Sequence, residues 1–329
     1  MATRSIPEDS FKDWKAFELP DASLGKDTRV ITIQWNTKGT RLAYAKTDKS
    51  LKIWRLSNFT CSPVATLANC HDAPVESISW DPTNELRLAT VARGSIVKVW
   101  ELSNNGHNLL HSIRLNSKDE NNLVVFSPCG SFLAVVNRAG NVSILDATNG
   151  FELLHRIDHA KEHVYDLAWA GPGAFLAALS TGDVRLYRFD PGYNGIELVH
   201  TLKGHQSAAT SVRCDPRGRY VAIGTNEGTV SLWDTQHLIS VGTITGVDEP
   251  IGSIEFSPDG KYMAVTYEYD SPGRIFILDG LREVHQISQC VGGNTIPQAK
   301  FSPTHPFVVC SGDLLHGKCA LMGVRLVVK

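Results

Sequence analysis

Seven evenly spaced strand anchors, a tight turn behind each and a near-constant step to a second anchor predict an all-β fold, a seven-bladed β-propeller. The first anchors are Trp35, Trp80, Phe126, Trp169, Cys214, Phe256 and Phe301, at steps of 45, 46, 43, 45, 42 and 45 residues. A period of about 40–45 residues, with strands and turns inside each unit, marks a radial repeat of small sheets. The second anchors, Trp54, Trp100, Leu145, Tyr187, Trp233, Leu278 and Met322, come after 19, 20, 19, 18, 19, 22 and 21 residues.

Each repeat has one internal order. After the first strand comes a turn, at 36–39, 81–84, 127–130, 171–174, 215–218, 257–260 and 302–305. Six of the seven turns have proline second: Pro82, Pro128, Pro172, Pro216, Pro258 and Pro303. Proline pre-sets φ there, and a Ser or Asp before it can bond back to the turn backbone. A second strand comes next, as at 41–45 or 220–224, then a third that ends on the second anchor. Around Val230, Leu232 and Trp233 the polar Thr229, Ser231 and Asp234 alternate with apolar residues. The run 132–136 is apolar throughout, as a strand between two neighbouring sheets should be.

The fifth repeat is the most complete. Gly204-His205 opens it and Leu232-Trp233-Asp234 closes it, which resembles the signature of WD repeats. In that family a His, a Ser or Thr, an Asp and the Trp form a hydrogen-bonded staple. By position the staple would use His205, Thr225, Glu227 and Trp233, with Glu227 where the family prefers Asp. His71 and His159 match the His position of the second and fourth repeats, and Asp48 the Asp position of the first. The resemblance also implies that the outer strand of the last blade comes from the other chain end, hiding an open sheet edge. Residues 1–29, which include the stretch from Trp14 to Pro20, are the candidate for that strand. Residues 30–329 are the propeller.

Composition narrows the function classes. The chain carries 32 basic and 34 acidic side chains, a formal net charge of −2, and has no basic run. Direct affinity for nucleic acid is therefore not expected, because such binding depends on clustered cations. Residues 1–15 lack the apolar run of a signal peptide. Nowhere is there an apolar stretch near the ~20 residues of a membrane span. The seven cysteines are odd in number and form no C-x-x-C pair, which fits reduced thiols in an intracellular protein.

Catalytic patterns are missing. No P-loop, G-x-S-x-G, H-E-x-x-H or G-x-G-x-x-G motif occurs. His155, His159 and His163 are spaced by four, but they fall on a strand end and a loop, where that spacing does not converge on a metal. No enzyme, cofactor or metal site is expected.

A binding face is easier to name. In WD propellers the residue seven before each second anchor points from one loop face. This gives Thr47, Arg93, Arg138, Ser180 and Asn226, joined by Tyr267 and Tyr269 in the longer loop of the sixth repeat. Tyr and Arg are enriched among residues that dominate interfaces.

Four stretches carry a narrower resemblance. VITIQWNTKGTRLAYAKTDKSLKIW (30–54), FSPCGSFLAVVNRAGNVSILD (126–146), VYDLAW (164–169) and DPRGRYVAIGTNEGTVSLWD (215–234) are similar to the WD-repeat subunits of the THO complex, in their fungal form. THO is the core of the TREX transcription–export assembly. The resemblance implies a non-enzymatic nuclear scaffold that docks on the large helical THO subunits. It would meet mRNA and the RNA helicase only indirectly. The competing expectation is a substrate receptor of a ubiquitin ligase or a histone-tail reader, which would need a charged pocket at the channel mouth. Arg93 and Arg138 are its only hint.

Overall fold

The structure, a computed structural model, describes residues 6–19, 21, 28–57, 60–103, 106–116, 120–159, 162–190, 195–288, 290–292, 295–304, 307–311 and 319–323. After a short 3-10 helix, η1 (Glu8–Asp13), comes strand β1 (Lys15–Glu18). Six antiparallel sheets come next, each made of four consecutive strands. Blade 1 holds β2 (Val30–Trp35), β3 (Arg41–Lys46), β4 (Leu51–Ser57) and β5 (Thr60–Leu67). Blade 2 holds β6 (Val75–Trp80), β7 (Arg87–Ala92), β8 (Ile96–Ser103) and β9 (Gly106–Arg114). Blade 3 holds β10 (Asn121–Phe126), β11 (Phe132–Asn137), β12 (Asn141–Asp146) and β13 (Glu152–Asp158). Blade 4 holds β14 (Val164–Gly171), β15 (Ala174–Leu179), β16 (Val184–Asp190) and β17 (Gly195–Leu202). Blade 5 holds β18 (Ala209–Cys214), β19 (Tyr220–Thr225), β20 (Val230–Asp234) and β21 (Ser240–Ile244). Blade 6 holds β22 (Ile251–Phe256), β23 (Tyr262–Tyr267), β24 (Gly273–Ile277) and, after the 3-10 turn η2 (Asp279–Leu281), β25 (Arg282–Ile287).

The remaining sheet is built differently. Its strands β26 (Ala299–Phe301), β27 (Phe307–Ser311) and β28 (Cys319–Gly323) are completed by β1, which pairs antiparallel with β28 from Lys15 opposite Gly323 to Glu18 opposite Ala320. The expectation of a seven-bladed WD-repeat β-propeller is corrected to six blades and a closing sheet. Six blades are continuous in sequence, and the closing sheet is a composite of both chain ends. The physical reason is edge protection. A three-stranded terminal sheet would leave the outer N–H and C=O groups of β28 open to another chain. The segment 312–318, where the last repeat departs from the pattern, lies outside the described residues.

The turns explain the strand spacing. Gly39, Gly130, Gly218 and Gly260 donate their backbone N–H to Asn36, Ser127, Asp215 and Ser257. All four have φ between 58° and 73°, a conformation that costs glycine nothing. The Asn36 carboxamide and the Ser127 and Ser257 hydroxyls accept further backbone N–H bonds that lock the entry to the second strand.

The first strands stand side by side around the central channel, and the blades are tied there by one repeated bond. The indole Nε1 of Trp35 donates to Lys300 O at 3.3 Å, that of Trp80 to Gln34 O at 3.1 Å, and that of Trp169 to Val125 O at 3.2 Å. In each case the acceptor is the residue before the preceding sheet's anchor. The Trp35 bond joins blade 1 to the closing sheet. Between blades the second strands are almost wholly buried. Each fully buried Leu, Ile or Val there contributes about 1.5–3 kcal/mol.

One second anchor moves. Leu278 lies beyond β24, and Phe276 holds the register of Trp233. Phe276 pairs with Met263 and Glu283 across a bulge, as Trp233 pairs with Val221 and Ser240. In the closing sheet, Met322 pairs with Val308, the register expected of an anchor.

Candidate functional site: the channel mouth and its loop face

The first strand of each complete blade carries a bulge after its first residue. A bulge re-aims one side chain and ends regular pairing. The re-aimed residues are Ile31, Glu76, Asn122, Tyr165, Thr210 and Gly252. Glu76 and Asn122 line the central cavity, a space of about 380 Å³.

Glu76 organises the mouth. Arg138 Nη2 donates to both of its carboxylate oxygens at 2.9 and 3.0 Å, and Arg93 Nε donates to Oε1 at 3.1 Å. Arg138 also stands 3.9 Å from Glu120. The sequence-derived rim residues Arg93 and Arg138 are thus brought together, from adjacent blades, on one acid that sequence reasoning missed. Their side chains remain 63% and 44% exposed.

The other rim residues are separate. Thr47 Oγ1 accepts from Arg29 N at 3.0 Å. The hydroxyl of Ser180 accepts from His163 N at 3.1 Å. Asn226 is exposed and its backbone N–H donates to Ala208 O. Tyr267 is a correction: it is 1% exposed, lies in the core between blades 5 and 6, and faces the Arg274 guanidinium 5.7 Å from its ring centroid. The reason is that β23 runs through Tyr267, so the loop expected to start there begins one residue later. Counted from Phe276, the position seven back is Tyr269, which is exposed, and Tyr267 falls two residues earlier on an inward face.

Deeper in the channel the charges form a closed chain. Arg213 pairs with Asp166 on blade 4 and donates to Val212 O at 2.6 Å, while its Nε sits 4.0 Å from Glu255. Lys300 of the closing sheet donates to Glu255 Oε2 at 2.8 Å. Burial works against the Arg213 charge, but Asp166 and Glu255 outweigh it and hold the guanidinium pKa above its usual value. Two cations meet two anions, so these four wall charges offset one another.

The staple also departs from its expected form. His205 Nε2 lies 2.7 Å from Ser231 Oγ, and Trp233 Nε1 donates to the same oxygen at 2.8 Å. Thr225 instead exchanges bonds with Thr229 inside its turn, at 3.2 Å each way. Glu227 touches the staple only through its charge, which slightly favours protonated His205. Thr225 and Glu227 are therefore removed from the staple. The hydroxyl belongs ten residues before the anchor, and in blade 5 that residue is Ile223. Blade 2 has Thr90 there, 2.8 Å from His71 Nε2 and accepting from Trp100 Nε1 at 2.9 Å. Blade 1 has Tyr44, which accepts from Trp54 and donates to Asp21 at 2.5 Å. In blade 4, Tyr187 meets His159 directly at 2.9 Å.

Burial keeps these imidazoles neutral. It pushes His71 down to about 4, aided by Lys98, and also lowers His159 and His205. His155, His159 and His163 go to different partners: the Phe189 ring, Tyr187 and Arg138 O. Among the described residues, no cluster of three or more His, Cys, Asp or Glu could hold a metal. None of their helices is long and apolar enough to cross a membrane.

Known proteins align with this arrangement. The WD domain, G-beta repeat pattern matches residues 196–234, and the WD40 domain pattern of anaphase-promoting complex subunit 4 matches 79–172. THO complex subunit 3 of Arabidopsis thaliana is 28% identical over 291 residues, covering 88% of each chain. WD repeat-containing protein AAC3 of Dictyostelium discoideum is 26% identical, over 79% of this chain and 55% of its own length. The β-propeller domain of Myceliophteria thermophila Cps50 (Swd1) superposes with a TM-score of 0.73 at 16% identity, over 90% of this chain and 99% of that one. The fold is thus a WD40-type β-propeller, and the chain resembles the THO WD-repeat subunit along most of its length.

Proposed function

We propose that this chain is a non-enzymatic scaffold subunit of a THO-type assembly in the nucleus, where it helps couple transcription to mRNA packaging and export. The observation that carries the reading is the similarity to THO complex subunit 3 over 88% of both chains. A partial match would leave room for a WD module inside an unrelated protein; a match along most of both chains favours the same type of subunit.

The geometry supports a protein-binding role. The cations at the channel mouth are held by Glu76, and those on its wall by Asp166 and Glu255. A substrate receptor or histone-tail reader working through a free basic pocket would need Arg93 and Arg138 released from Glu76, so that alternative loses its main support. Contact with mRNA and with an RNA helicase is indirect on this reading, through the large scaffold subunits.

Affinity purification of the tagged chain from nuclear extract, with mass spectrometry of the recovered proteins, tests the proposal. The expected result is stoichiometric recovery of THO scaffold subunits. Recovery of cullin adaptors or chromatin-modifying subunits without THO components would overturn it.

A further inference from the structure

The outer strands of blades 1–6 repeat a detail that the channel mouth does not explain. Opposite each second anchor the outer strand bulges by one residue. That extra residue is apolar in all six blades: Val64, Leu110, Leu154, Val199, Val241 and Val284. Val64 and Val284 are partly buried against apolar clusters. On blades 2–5 the bulge residue is exposed, from 37% at Leu154 to 51% at Val241. The residue before it is exposed as well in Leu109, Leu153 and Leu198, which lie opposite Trp100, Leu145 and Tyr187.

Blade 6 demonstrates how such a rim is covered. Residues 6–14 lie across β25, and Ile6, Phe11 and Trp14 join the cluster that holds Val284. Phe11 and Trp14 pack on His285, the residue after the bulge, at centroid distances of 5.9 and 5.7 Å. Arg282 donates to Glu8 at 2.5 Å, and the Tyr262 hydroxyl donates to Ile6 O at 2.9 Å. An aromatic segment with an acid at its start therefore seals an apolar bulge next to a His. His111, His155 and His200 occupy the register of His285 on blades 2, 3 and 4. His111 and His155 are already packed on Phe151 and Phe189 of the next blade, at 5.0 and 5.3 Å. The leucines beside them are what remains uncovered. β13 and β17 approach each other, and the seam between them runs along the two strands that carry the bare residues of blades 3 and 4.

We propose that this seam, centred on Leu153, Leu154, Leu198 and Val199, is the docking surface for a partner protein's short segment of aromatic and aliphatic side chains. The occupant has the chemistry that residues 6–14 use on blade 6. A monomer rarely leaves large apolar side chains clustered on a surface unless they meet something. A membrane surface is the wrong occupant, because the charges beside the seam are mixed. Glu152, Asp158 and Glu197 stand among Arg156 and Arg188, and Arg188 pairs with Glu197 at 3.7 Å. The inference rests on the THO reading and assigns the seam to another subunit of that assembly.

The test co-expresses the chain with the THO scaffold subunits of the same organism, as wild type, as Leu153→Glu with Leu198→Glu, and as Val241→Glu, an exposed bulge residue on blade 5 outside the seam. The wild type and the Val241 variant are expected to assemble, and the leucine variant to bind at least about tenfold more weakly, the scale of lost interface anchors. Its melting curve is expected to match the wild type, since both leucines are exposed. Hydrogen exchange on the wild type gives an independent readout, with β13 and β17 protected in the assembly and not in the free chain. A leucine variant that assembles normally, unchanged exchange at β13 and β17, or a wild-type homodimer lost in the leucine variant would overturn the seam while the THO reading stands. A wild type that fails to assemble would overturn both.

Discussion

The channel mouth and the outer rim of blades 3 and 4 are opposite kinds of surface. The mouth is rich in charge, yet its charges are committed: two arginines close on Glu76, and Arg213 and Lys300 close on Asp166 and Glu255. The rim carries charges of both signs, yet its leucines are exposed and uncovered. Exposed ion pairs are weak and screened by salt, whereas buried apolar area is the main source of association free energy. A conspicuous arginine is therefore a poor guide to a binding surface until its partner is known.

The contrast is most vulnerable at the channel wall. Arg213→Ala strips the compensation from Asp166, which is itself buried, and is expected to cost about 3–5 kcal/mol, the usual result of leaving one partner of a buried pair. Urea denaturation measures it. Unchanged stability together with lost partner binding would mean that the wall charges serve recognition rather than the fold.

Acid tests the layer between wall and rim. The folded His71 pKa of about 4 lies below the ordinary histidine value of 6.5. Between those values the unfolded chain takes up a proton that the folded chain refuses, so stability present above pH 6.5 is lost as pH falls toward 4. That shift corresponds to roughly 3 kcal/mol for His71. The lowered pKa values of His159, His205 and His285 act in the same direction. A urea midpoint that did not fall between pH 7.5 and pH 4.5 would contradict the buried neutral staples.

Two smaller substitutions separate the observed staple from the expected one. Ser231→Ala leaves His205 and the Trp233 indole without their shared oxygen and is expected to cost about 1–2 kcal/mol. Glu227→Asp should change stability by less than about 0.5 kcal/mol, as an exposed substitution away from any special feature. Thermal melts of the pair check both, and the reverse ranking would restore Glu227 to the staple.

The sequence made some of this legible and hid the rest for physical reasons. First-strand anchors were readable because one large apolar residue must end each inner strand, and Pro and Gly turns punctuate the chain behind it. Leu278 misled because the longer loop of blade 6 and an apolar residue just past β24 imitate an anchor. Tyr267 was misplaced because it ends β23, where the longer loop was expected to begin. The staple hydroxyl was misplaced because blade 5 supplies it from Ser231, on the Trp strand, rather than from the neighbouring strand as Thr90 does in blade 2. Glu76 was invisible because its role depends on a bulge. The rim pattern was present as Leu109-Leu110-His111, Leu153-Leu154-His155, Leu198-Val199-His200 and Glu283-Val284-His285. Only strand register reveals that these are one position repeated.

On this reading the propeller binds protein rather than nucleic acid. The decisive measurement is fluorescence anisotropy of the purified chain with a single-stranded RNA, at salt from 50 to about 200 mM, because backbone contacts release counterions and make affinity fall steeply with salt. Weak binding that vanishes across this range is expected, since the mouth cations are already paired. Tight binding that persists at the upper salt would contradict a protein-binding surface with committed charges.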